Sequence, residues 1–183
     1  MLQSDVHGGV PQNRPRLYVI GIGTDKINAP FEWPEPMACV SLEDVLEPCF
    51  GDSSLIDTMN DTKRQNFLNL LKLHKGTDPN SHAIAELGSS YPKAMVGRCP
   101  CITVTRAGDT AYWSIRLRRP LTMCELLKLQ GFNEAMFPDW HKHVSLRQFG
   151  TMVGNAMTLS VVRRIMAAVL HSLGYTVRRT EAS

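Results

Sequence analysis

Gly9-Val10-Pro11-Gln12-Asn13-Arg14-Pro15-Arg16, running directly into Leu17-Tyr18-Val19-Ile20-Gly21-Ile22-Gly23, is the stretch on which the architecture turns. Residues 16–23 are β-rich, apolar on both faces and closed by glycines, which predicts a strand buried centrally in a sheet. Just ahead of it, Arg14 and Arg16 stand two residues apart on an extended segment. Both then project from one side and can form a cationic edge toward a phosphate or a base oxygen. Spacing alone is equally consistent with a solvated arginine pair at the mouth of a strand.

Outward from that strand, residues 24–39 carry Pro30, Pro34 and Pro36 and read as a loop leaving the sheet. Ser41 with Asp44 three residues on predicts a capped short helix that Pro48 ends. From Asp61, the spacing of Phe67, Leu70, Leu71 and Leu73 predicts a helix, with Gly76 as its stop. Residues 77–100 read as irregular. Strands are expected at residues 102–106 and 111–117 around a Gly108-Asp109 turn. In the second, Arg116 and Arg118 alternate with Ile115 and Leu117 and would share a face that meets phosphates, or merely solvent. Thr122 and Glu125 form another capping box, opening a helix to about Leu129 that closes at Gly131. A last helix spans residues 158–173, with an apolar stripe of Val161, Val162, Ile165, Met166, Val169, Leu170 and Leu173 and Gly174 after it. The tail from Tyr175 should fray.

The chain has 183 residues, 43% hydrophobic and 20% charged, with a mean hydropathy of -0.15, as in ordinary globular proteins. The absence of a bilayer-length apolar run or a signal pattern predicts a soluble, intracellular protein, nuclear or nucleoid if it acts on DNA. A formal charge of +3 permits a nucleic-acid partner without requiring one. Five unevenly spaced cysteines argue for reduced thiols over a disulfide framework. Cys99-Pro100-Cys101 is tighter than usual zinc pairs, so no metal site is expected.

Two further strings carry possible chemistry. Arg119-Pro120-Leu121-Thr122-Met123-Cys124-Glu125-Leu126-Leu127-Lys128-Leu129-Gln130-Gly131-Phe132 reads as a capped amphipathic packing helix. In Gln148-Phe149-Gly150-Thr151-Met152-Val153-Gly154-Asn155-Ala156-Met157, ahead of the last helix, glycine and free N–H groups at a helix start would admit a carboxylate or phosphate. An ordinary loop and cap fits the Gly-Asn pair as well.

In this order the three strings resemble the blocks that end DNA cytosine-5 methyltransferases: Gln-x-Arg-x-Arg, Arg-x-Leu-Thr-x-x-Glu-x-x-x-Leu-Gln-Gly-Phe, and Gly-Asn-Ala. The resemblance implies the C-terminal half of such an enzyme, an α/β chain holding part of a Rossmann-like, S-adenosylmethionine-dependent methyltransferase fold and an irregular α+β target-recognition region. Residues 1–33 would belong to the large domain, 34–144 to the recognition domain, and 145–183 would return to the large domain. It further implies double-stranded DNA as partner and extrusion of the target cytosine from the duplex. Arg16 would contact that base and its backbone, supported by Gln12 and Arg14. Gly154, Asn155 and Met157 would line the methionine end of S-adenosylmethionine, and the helix after Arg119 would brace the recognition region.

The family's nucleophile, a cysteine after proline and before glutamine, is missing from this sequence, as are its Gly-rich cofactor loop and Glu-Asn-Val string. Pro48-Cys49 and Pro100-Cys101 lie downstream and lack the glutamine. A complementing half is therefore expected. A non-catalytic nucleic-acid-binding remnant and a tRNA-methylating relative are the alternatives. All of these readings require Gln12, Arg14 and Arg16 to fold beside Gly154 and Asn155.

Overall fold

The computed structural model describes residues 1–52, 54–73 and 82–176. β1 (Leu2–Gln3) leads straight into α1 (Ser4–His7), and β2 (Pro15–Arg16) returns antiparallel to β1, Leu2 facing Arg16 and Gln3 facing Pro15. α2 (Leu42–Val45), α3 (Ser54–Asp57) and α4 (Asp61–Leu73) follow the proline-rich loop. Next come β3 (Ala83–Glu86), β4 (Lys93–Val96), α5 (Val104–Ala107), β5 (Tyr112–Ser114) and β6 (Arg119–Pro120). α6 (Met123–Leu129), α7 (Trp140–His143), α8 (Leu146–Asn155) and α9 (Leu159–Ser172) complete the order. The result is a mixed α/β chain with two small antiparallel sheets, β1-β2 and β4-β3-β5-β6.

The larger sheet is covered on both faces. Phe67 and Leu70 of α4 pack on Ala85, Leu87 and Trp113. On the other side Ile84 and Tyr112 meet α2, α6 and α8 through Leu42, Val45, Leu126, Leu129, Phe149 and Val153. Phe67 is wholly buried, which contributes about 2 kcal/mol. A third, smaller cluster joins Leu2 to Val161 and Ile165 of α9, with Tyr18, Ile20 and Val169 alongside.

Both capping boxes form as their spacing predicts, Ser41 with Asp44 and Thr122 with Glu125. α4 and α9 also lie where the periodicity places them. The Gly76 stop falls outside the described residues, as does the tail from residue 177.

Four expectations are corrected. The central strand over residues 16–23 is not formed. Only Pro15 and Arg16 pair, and Leu17 and Val19 are 78% and 87% exposed while Tyr18 and Ile20 are partly covered. An apolar pattern on both faces needs cover on both, and among the described residues the cluster with Leu2 and α9 covers one. Residues 102–106 carry α5, not a strand. There the Tyr112 hydroxyl accepts from the Thr103 N–H and donates to the Cys101 carbonyl, so a side chain satisfies the backbone where a ladder would have. Residues 83–86 and 93–96, within a stretch read as irregular, pair as a β-hairpin; Ala83-Ile84-Ala85 is an unbroken apolar run and shows no alternating pattern. Finally, β5 stops at Ser114, so Arg116 and Arg118 lie in a turn, Arg118 with φ 53°, and do not share a strand face.

Candidate functional site

The three strings converge. Arg14, only 4% exposed, sends its guanidinium between them: Nη2 donates to the carbonyls of Gly154 at 3.1 Å and Ala156 at 2.6 Å, and Nη1 donates to the Ile102 carbonyl. Carbonyls at a helix C-terminus lack intrahelical partners and carry partial negative charge, so the end of α8 is a fitting receptor for a buried cation. Burial presses the Arg14 pKa down, an effect opposed by nearby Cys101.

Around this crossing runs a polar circuit. Ser4 Oγ donates to the Arg14 carbonyl at 3.4 Å and lies 2.7 Å from Thr158 Oγ1. Thr158 donates to Gln130 Oε1 at 3.4 Å, Gln130 Nε2 donates to the Val153 carbonyl at 2.9 Å, and the Gln130 carbonyl receives the Leu159 N–H at 2.9 Å. Gln12 is wholly buried and donates from Nε2 to the Leu129 carbonyl at 2.8 Å, while its Oε1 finds no partner among the described residues. Pro11 and Asn13 are held against Cys99 through the Cys99 N–H to Pro11 carbonyl bond at 2.7 Å and the Asn13 N–H to Cys99 carbonyl bond at 2.8 Å.

Arg16 is partly exposed. Its guanidinium contacts the Cys101 thiol at 3.5 Å, as that of Arg14 also does, and donates to the Pro15 carbonyl at 2.8 Å. Arg14 of the first string thus meets Gly154 of the third, in a form the sequence did not suggest. The string from Gln148 is helix α8, capped by Ser145 and Gln148, not a loop opening onto a helix start. Gly154 and Asn155 end that helix, so carbonyls, not free N–H groups, face Arg14. Gly154 and Gly150 serve close packing: a Cβ on Gly154 would stand 2.4 Å from the Thr103 carbonyl oxygen, and one on Gly150 2.3 Å from the Gly108 Cα. Asn155 and Met157 are exposed.

A second polar centre lies in the Arg119 string. Arg119 and Glu125, both nearly or wholly buried, form a two-pronged ion pair at 2.9 and 2.7 Å. Arg119 also donates to the carbonyls of Glu47 and Cys49, and Glu125 accepts from the N–H groups of Glu47 and Thr122. Burial alone would raise the Glu125 pKa; hydrogen bonds from Arg119, Thr122 and Glu47 outweigh it and lower the pKa. The sequence showed Glu125 only as a cap. An arginine six residues before a carboxylate on an otherwise apolar helix face was the available signal. Gln130, polar beside Leu126 and Leu127 at the end of that helix, was likewise missed.

Arg116 is engaged with His82 at 2.8 Å and with Glu43 at 3.5 Å, whereas Arg118 is exposed. Burial pushes the Cys99 thiol well up and the Cys124 thiol up to about 11, which disfavours the thiolate at both. Among the described residues no group of three or more His, Cys, Asp or Glu side chains is placed to hold a metal ion, and no single helix is long and apolar enough to cross a membrane.

A family profile of C-5 cytosine-specific DNA methylases matches residues 4–171. The chain belongs to that family. It is 27% identical over 173 residues to the Type II methyltransferase M.HaeII of Haemophilus aegyptius, a match covering 93% of this chain and 50% of the relative. It is 29% identical over 158 residues to the Type II methyltransferase M.NgoBI of Neisseria gonorrhoeae, covering 84% and 44% respectively. The chain thus spans about half the length of the curated relatives it matches. No solved structure gives a significant match.

Proposed function

We propose that this chain is the C-terminal, DNA-recognising half of a DNA cytosine-5 methyltransferase, and that it methylates double-stranded DNA only together with a half that carries the nucleophilic cysteine. In this reading residues 1–33 and 145–183 belong to a Rossmann-like large domain and residues 34–144 to the recognition domain. The observation that carries it is the Arg14 crossing. One buried guanidinium fixes the strand bearing Arg16 to the two carbonyls that bracket Asn155, so a base-holding cation and a cofactor-holding amide share one rigid support.

The residues fit part of a site for S-adenosylmethionine. The Asn155 carboxamide is exposed with no hydrogen-bond partner among the described residues, and the exposed Met152 and Met157 lie to either side of it in sequence. A carboxamide and main-chain groups suit the amino-acid end of the cofactor, and the thioethers suit its apolar stem. The bound cofactor supplies an electrophilic methyl group. Arg16 holds the extruded cytosine through its exocyclic carbonyl oxygen or adjoining phosphate. Arg14 and Gln12 keep that strand in place, and the Arg119–Glu125 pair fixes the recognition region where it leaves the helix. Arg118 contacts phosphate.

The test combines the chain with the half of M.HaeII that its match to this chain leaves uncovered, on this reading the N-terminal half, and follows labelled methyl transfer to duplex DNA and to tRNA. Transfer to DNA is expected. Arg16→Ala should cut transfer at least about tenfold more than it weakens duplex binding, a difference of about 1.4 kcal/mol. Duplex binding with no transfer by any upstream half would make the chain a binding module, and preferential tRNA methylation would change the substrate.

A further inference from the structure

β3 ends at Glu86 and β4 begins at Lys93, so residues 87–92 form the tip of their hairpin. Hairpins commonly close with about two residues; this tip is longer and is fastened from several sides. Asn66 of α4 donates from Nδ2 to the Leu87 and Ser89 carbonyls, both at 3.0 Å. Arg106 of α5 donates to the Gly88 carbonyl, and the Glu86 carboxylate accepts from the Gly88 N–H at 2.7 Å. Ser89 Oγ donates to the Tyr91 carbonyl at 2.8 Å and accepts from the Tyr91 N–H at 2.9 Å. Leu87 is wholly buried at the base of the tip, and Pro92 holds the backbone of Tyr91 in extended conformations. What this scaffold presents is the Tyr91 ring, 83% exposed, its hydroxyl without a hydrogen-bond partner among the described residues.

We propose that Tyr91 is a specificity-determining residue that lays its ring against a base of the bound duplex, with Lys93 on an adjoining phosphate. This rests on the function proposed above and assigns the reading of sequence to one turn within residues 34–144. A rigid, water-exposed ring stabilises nothing in the chain itself, but a tip ordered during folding spares that entropy on binding. Charge points to nucleic acid as the ligand. Residues 87–98 contain no Asp or Glu, and Lys93 is exposed with no ion pair among the described residues. The nearest carboxylate, Glu86, is turned inward onto the Gly88 N–H and lies 3.7 Å from the Arg106 guanidinium. An aromatic face beside a free cation matches a base beside its phosphate. Shape agrees, because a two-stranded ribbon such as β3–β4 fits the major groove.

Selection of bound duplexes from a pool with a randomised centre tests this on the full chain. The wild type should enrich one family of sequences. Tyr91→Ala should lower that enrichment about tenfold or more, the size of one lost base contact, while its affinity for unselected duplex stays within about twofold. Tyr91→Phe, which keeps the ring, should retain most of the enrichment. Lys93→Ala should weaken binding to every sequence alike and reduce the salt dependence by about one charge. Equal enrichment by the wild type and Tyr91→Ala, or equal losses in Tyr91→Ala and Tyr91→Phe, overturns the inference and leaves the proposed function standing. Failure of the wild type to bind any duplex overturns both. A dimer that Tyr91→Ala dissolves in sedimentation, with enrichment unchanged, would give the tip to a second copy of the chain instead.

Discussion

At the scale of single residues, the fate of Arg14 shows how a buried cation organises a site it does not enter. Its donors take up three carbonyls from two distant segments, so its removal strands those acceptors without water. Arg14→Ala should cost roughly 2–4 kcal/mol, because unsatisfied buried acceptors carry their full desolvation penalty. Arg14→Lys should restore little of it, since an ammonium lacks the planar fork that reaches two carbonyls at once. Urea unfolding measures both, and a loss below about 0.5 kcal/mol would show that the crossing is not structural. Arg16, two residues on, has no such network, which leaves its charge available for a ligand.

At the scale of elements, α6 and its Arg119–Glu125 pair bind the segment after α2 at Glu47 and Cys49. Because the folded Glu125 pKa is lowered, the pair stabilises the fold at pH values above the unfolded value of about 4.3, and that contribution is lost as pH falls through the folded value. Urea unfolding at stepped pH should therefore show stability declining below about pH 4. Glu125→Gln should be less stable by about 3–5 kcal/mol at neutral pH and should lack that part of the decline. Legibility differed among the elements. α2, α4, α6 and α9 could be read because caps and a 3.6-residue period are local signals. α8 was missed because Gly150, Gly154 and Asn155 argue against a helix locally, and it forms because those glycines let its backbone press on α5. The β3–β4 hairpin was hidden because Ala83-Ile84-Ala85 lacks polar–apolar alternation, and residues 17–22 carry a strand pattern whose partner the described residues do not provide. For the candidate site, the expected approach of the Arg14 segment to Gly154 is seen, whereas Gln12 bonds to the Leu129 carbonyl. Glu125 and Gln130 were not singled out, because a buried polar residue is recognised by its partners, and those lie elsewhere in the sequence.

At the scale of the whole molecule, the chain has a covered four-stranded sheet and, apart from it, an extended apolar segment at residues 17–22 that is unpaired among the described residues. The isolated protein should bind an apolar-sensing dye such as anilinonaphthalene sulfonate. Leu17→Asp combined with Val19→Asp should roughly halve that signal and shift the melting temperature by less than about 4 °C, since neither side chain is buried. Undiminished dye binding would locate the exposed apolar surface elsewhere. The Arg14 crossing also bears on how the protein is made. Its bonds to Gly154 and Ala156 span 140 and 142 residues, so the arginine is translated long before its acceptors. At ordinary elongation rates that interval is roughly 7 to 30 seconds. Until then the N-terminal segment can be held through its bonds to Cys99, Ile102 and Leu129, and the clasp on the end of α8 closes last among them.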